Sequence, residues 1–139
     1  MIYITDNDLK TESFERFITE STSDFPTVKD EVELKTIGLV KTFLSGRYNV
    51  EAIFRETEPL RDEFLADIVA KITMYKIISR NAARKVPSDF KDDYDWAMQQ
   101  LEKINAGKIS LDLPAPTDEE GNSNINPMWG NNTNKNFYI

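Results

Sequence analysis

The sequence predicts an all-α fold: a compact bundle of about four to five helices, then a short extended arm and a long irregular C-terminal tail. Three observations predict it. Apolar residues recur at spacings of three and four over three long segments between residues 26 and 106. Each segment is bounded by N-cap residues, prolines or a closing glycine. The last 26 residues, 114–139, have no helical period and are rich in Asn, Pro and Gly. Residues 1–113 therefore read as the helical domain and 114–139 as the tail.

The elements follow in order. Thr5-Asp6-Asn7-Asp8 is a run of N-cap residues before Leu9, so a short helix begins there. Phe14, Phe17 and Ile18 set one apolar stripe on a second short helix. Pro26-Thr27 opens a long helix with Asp30 and Glu31 at its positive end and Val28, Val32, Ile37, Val40, Phe43 and Leu44 facing inward. Gly38 inside it costs about 1 kcal/mol relative to Ala and points to a close backbone approach. Gly46 stands where a left-handed residue ends a helix.

Glu58-Pro59 starts a further helix, in which Leu60, Phe64, Ile68, Ile72 and Tyr75 form a stripe that Leu65, Val69 and Ile78 broaden. So wide an apolar arc marks a central element. Ser88 caps the last helix, Phe90, Tyr94, Ala97, Met98, Leu101 and Ile104 form its buried side, and Gly107 closes it. The alternation in KISLDL, residues 108–113, fits one short strand or an extended arm.

With 139 residues, 40% of them hydrophobic, the chain is large enough for one domain with its own core. The formal charge of −7 disfavours binding to a nucleic-acid backbone. Cys and His are both absent, which removes disulfides, thiolate and imidazole metal ligands, the cysteine nucleophile and the histidine acid or base. The expectation is a protein that is not an enzyme and takes no cofactor or metal. MIYITDNDLK lacks a basic region and an apolar run, so the chain is expected to be soluble and made inside the cell.

Several clusters invite a chemical reading. Asp6 and Asp8, and Asp92, Asp93 and Asp95, lie at helix starts, where capping and the dipole account for them; neither group has the pattern of a calcium loop. Arg80, Arg84 and Lys85 suit a helix C-terminus, and Arg80 and Arg84 are candidate subunit contacts. Arg47 and Tyr48 follow a helix end. In the plain reading Arg47 lies near its last carbonyls and Tyr48 packs on the core; in the functional one both meet a neighbouring subunit, Arg47 through a carboxylate. In the tail, Met128, Trp129, Phe137, Tyr138 and Ile139 are costly to leave in water, yet five anchors cannot order 26 residues unaided, since fixing backbone costs about 1–2 kcal/mol per residue. They are candidate docking anchors for a partner surface.

Two phrases together carry a family resemblance. FLSGRYNV has Leu44, Gly46, Arg47 and Tyr48 in the order of a helix-ending phrase, L-x-G-R-Y. YDWAMQQLEKINAGKISLDLP has Tyr94, Ala97, Leu101, Ile104, Gly107, Lys108 and Leu111 at the spacing Y-x-x-A-x-x-x-L-x-x-I-x-x-G-K-x-x-L. The chain so resembles the phage Mu-type family of small proteins linked to head-tail joining, over residues 1–114, and its opening YITDNDL is similar too. It departs from the family at residues 32–36, where small residues are usual. The resemblance implies a structural head-tail connector adaptor of the virion neck, assembled in the host cytoplasm. It implies a homo-oligomeric ring of twelve copies between portal protein and tail or other neck proteins, without membrane contact, through whose lumen DNA passes unbound. The competing reading is a monomeric regulatory or ligand-binding module, with its cleft between the helices that begin near Pro59 and Ser88.

Overall fold

The computed structural model describes residues 1–12, 27–80 and 86–116. Among them are five helices and no strand: α1 (Asp6–Glu12), α2 (Val28–Leu44), α3 (Val50–Ile53), α4 (Glu63–Ser79) and α5 (Ser88–Asn105). The short helix expected around Phe14, Phe17 and Ile18 lies outside the described residues.

Helix α4 is the axis of the bundle, packed against α1, α2 and α5. Ten of its 17 residues are buried, from Leu65 to Ile78, so it is apolar nearly all round, as a helix covered by neighbours must be. Helix α5 is amphipathic instead: Ala97, Leu101 and Ile104 are buried while Phe90, Tyr94 and Met98 half-cover the edge. The seam between α4 and α5 is filled by rings. Phe64 meets Trp96 edge-on at 5.9 Å, and Tyr75 stacks on Tyr94 at 4.4 Å. The ligand cleft expected between these two helices is thus occupied by their own side chains.

Helix starts differ from the sequence pattern in two places. α4 begins at Glu63, not near Pro59, because Asp62 is its N-cap and accepts from the Leu65 amide at 3.0 Å. The Tyr3 hydroxyl holds the preceding turn open, donating to the Leu60 carbonyl and accepting from the Asp62 amide. Burial pushes that hydroxyl up to about 12, in keeping with a neutral group locked between two backbone partners. In α5 the N-cap is Pro87, and Ser88 is the first helical residue without a side-chain cap bond. Asp8 does act as a capping residue: its carboxylate accepts from the Thr5 amide while its own amide donates to the Thr5 hydroxyl. Arg61 also reaches it, at 2.8 and 2.9 Å.

The N-terminal segment is held by a buried charge absent from the expected inward residues of α2. Glu33, on the inward side of α2, is fully buried, and its carboxylate accepts from the amides of Ile2, Tyr3 and Ile4 at 2.6, 2.9 and 2.7 Å. Three backbone donors replace its lost hydration, which is what a buried carboxylate requires. Gly38 brings no close backbone approach among the described residues: a Cβ there would meet none of them within 4 Å.

Candidate functional site

The two phrases of the family resemblance fold onto each other. After α2 the chain continues in a right-handed turn. Ser45 donates to the Lys41 carbonyl, and the amides of Arg47 and Tyr48 both donate to the Leu44 carbonyl at 3.0 and 2.9 Å. Gly46 is therefore not the left-handed stop that the sequence led one to expect; its φ is not positive, and a Cβ on it would meet open space. The left-handed glycine is Gly107, with φ +79°. It ends α5 in a full Schellman arrangement, Gly107 donating to the Ile104 carbonyl at 3.1 Å and Lys108 to the Lys103 carbonyl at 2.8 Å.

Arg47 lies across that second helix end. Its Nε donates to the Asn105 carbonyl at 2.8 Å, and its guanidinium lies where a Cβ on Gly107 would sit, 2.9–3.0 Å from Nη1, Nη2 and Cζ. A cation thus complements the negative end of α5, not of the helix that Arg47 follows. Nη1 and Nη2 have no hydrogen-bond partner among the described residues.

The next two residues catch the chain further on. Tyr48 is turned inward and only 8% exposed, so its ring belongs to the core of the chain; its hydroxyl accepts from the Leu111 amide at 2.8 Å. Asn49 donates its amide to the Pro114 carbonyl at 2.9 Å, while its side chain accepts from Ala52 and caps α3, a short helix that the apolar pattern did not reveal. Between these anchors residues 108–113 run as the arm, not as a strand, with Ile109, Leu111 and Leu113 alternately packed against the core. Three consecutive residues, Arg47, Tyr48 and Asn49, therefore fix three successive points of the chain, the last residue of α5 and two beyond it.

The other candidates are not brought here. Arg80 follows α4 beside the first turns of α2, so Arg47 and Arg80 stand at opposite ends of a helix about 25 Å long. Arg84 lies outside the described residues, as do Met128, Trp129, Phe137, Tyr138 and Ile139. Glu33, Asn49 and Asp62 are the site-forming residues that periodicity missed. Asn49 and Asp62 are legible afterwards as cap residues before short apolar runs; the signal for Glu33 is its spacing from Ile37, Val40 and Leu44, which its charge outweighed.

Among the described residues no helix is long and apolar enough to cross a membrane, and no group of three or more acidic side chains is placed to hold a metal ion. No curated protein and no solved structure matches the chain. The family model described as "Bacteriophage Mu, Gp36" matches residues 3–128, which takes in the helical body and runs beyond residue 114 into the tail. With 126 of its 139 residues inside that match, the chain belongs to the bacteriophage Mu Gp36 family.

Proposed function

We propose that the protein is a structural, non-enzymatic virion component: a head-tail connector subunit that forms a ring in the neck, between the portal and the tail or other neck proteins. Membership of a bacteriophage Mu family over nearly the whole chain carries this reading. The form of the molecule supports it. The helical body ends in an arm whose course is fixed by Arg47, Tyr48 and Asn49, and beyond Pro114 a further 25 residues extend from that fixed exit. Fully extended, they span about 80 Å, enough to cross more than one neighbouring subunit. The formal charge of −7 suits a lumen through which DNA slides. The Nη donors of Arg47, unbonded among the described residues, can meet a carboxylate of an adjoining copy while Nε keeps its bond to Asn105.

Mixing the purified full chain with portal rings of the same phage tests this. Co-sedimentation and a ring of added density under the portal in electron micrographs are the expected results. A chain that stays monomeric and unbound in the presence of portal rings would refute the connector role.

A further inference from the structure

At the end of α2 remote from Arg47, a cleft of about 520 Å³ opens between the first turns of α2 and the last turn of α4. Val28 and Val32 line its apolar wall, Lys35, Lys76 and Arg80 supply cations, and Glu31 is its carboxylate. Among the described residues that line it, three carry positive charge and one negative, on a chain of formal charge −7. Lys35 and Lys76 belong to facing helices and have neither an ion-pair nor a hydrogen-bond partner among the described residues. Burial, and then the charge of Lys35, hold the Lys76 ammonium below the usual lysine range. Two like charges held together beside an apolar wall favour an anionic occupant with some chain attached.

The sequence contains such a segment. Asp118-Glu119-Glu120 is a run of three carboxylates just beyond the last described residue, Pro116. Its root is known: the Pro114 carbonyl is bound to Asn49, past the far end of α2. From Val32 to Leu44 the helix rises about 18 Å, and the turn to Asn49 lies further on. From Pro114 to Glu120 a fully extended chain spans about 20 Å. A chain's own carboxylates therefore meet its own cleft only if the segment runs nearly straight, whereas those of an adjoining copy are under no such limit.

We propose that the Lys35–Lys76 cleft receives the Asp118–Glu120 carboxylates of a neighbouring copy. With the donor segment rooted at one end of α2 and the acceptor cleft at the other, the contact is head-to-tail, the kind that closes into a ring. The inference rests on the ring reading above and adds the contact that joins its subunits.

The absence of cysteine from the chain makes the test direct. Full-length Lys35→Cys and Glu119→Cys proteins are mixed under mild oxidation, and mixed disulfide is read on a non-reducing gel. A Glu102→Cys with Glu119→Cys mixture is the control, Glu102 being exposed on α5. The expected yield exceeds the control by about tenfold, through the raised effective concentration of a docked segment. High salt and an added Lys76→Glu should each remove the excess. Equal yields in the two mixtures overturn the docking. A chain carrying both Lys35→Cys and Glu119→Cys that closes on itself as a monomer overturns the assignment to a neighbour. Sedimentation of the unsubstituted protein with portal rings separates the two ideas. Assembly with equal yields removes only this contact, and no assembly removes the ring reading itself.

Discussion

Replacing Gly107 by Ala tests the junction at its most constrained point. Two separate penalties follow from the structure. At φ +79° an L-residue occupies the left-handed region at a cost of about 1–2 kcal/mol. The new Cβ would also lie 2.9–3.0 Å from three atoms of the Arg47 guanidinium, which must withdraw and give up its bond to the Asn105 carbonyl. That bond has a charged donor but stands at the surface, so its loss adds about 1 kcal/mol. The total is about 2–3 kcal/mol. In an Arg47→Ala background only the backbone penalty remains, so the two substitutions should couple by about 1 kcal/mol. Urea denaturation of the four proteins measures this, provided the slopes agree. Gly46→Ala is the internal control: with no positive φ and open space at its Cβ, it should cost nothing and should stabilise by up to about 1 kcal/mol through the lower entropy of the unfolded chain. Additivity of Gly107→Ala and Arg47→Ala to within about 0.3 kcal/mol would refute the placement of Arg47 over Gly107.

Tyr48→Phe should remove the acceptor of the Leu111 amide, costing about 1 kcal/mol and speeding hydrogen exchange at Leu111 while α5 stays protected. Glu33→Ala leaves the amides of Ile2, Tyr3 and Ile4 without an acceptor; a loss of at least about 3 kcal/mol in urea denaturation is expected, with Glu33→Gln in between. Thr73→Val should stabilise by about 1 kcal/mol in thermal melts, because the buried Thr73 hydroxyl has no hydrogen-bond partner among the described residues. The Arg61 guanidinium, hydrogen-bonded to Asp8, holds that carboxyl down at about 2 against an ordinary 3.8. A carboxyl depressed in the fold stabilises above its unfolded value and loses that contribution as pH falls. Urea midpoints should therefore drop between about pH 4 and pH 2, and Asp8→Asn should flatten that window.

The helical class was legible because α4 carries its apolar residues on almost every side and α5 carries them on one. Neither pattern has another reading at such length. What escaped were features set by distant residues. The beginning of α4 depends on a hydroxyl from Tyr3, about 60 positions earlier, which holds the Pro59–Asp62 turn open; Pro59 alone looked like a helix start. Glu33 shares the face of α2 with Ile37, Val40 and Leu44, yet its charge argues for solvent; what lets it stay inside is three donors from the backbone of residues 2–4, and backbone donors leave no trace in side-chain identity. Gly46 and Gly107 both follow long helices, yet only Gly107 is left-handed. Two residues after Gly46 the ring of Tyr48 must enter the core, and a continued right-handed turn delivers it there. Arg47 was expected near the carbonyls of the helix it follows; it caps α5, a choice that only the side-by-side packing of the two helix C-termini makes available.

This geometry alters what the shared phrases can be taken to mean. Each residue of Gly-Arg-Tyr-Asn beyond the glycine has a partner in the segment from Asn105 to Pro114, so the phrases are two halves of one structural device. The device sets where the arm runs and therefore where the tail leaves the body. A subunit contact is not needed to explain Tyr48, and for Arg47 it can involve only the two terminal nitrogens left over from capping. The distinctive residues thus bear on the direction of the tail, and the joining surfaces are to be sought at the tail's destination. The family match points the same way, since it does not stop at the arm but continues through Asp118, Glu119 and Glu120 to residue 128. A tail aimed by a fixed junction, bearing three carboxylates that meet its own body's cleft only when nearly straight, is suited to a receptor on the next copy.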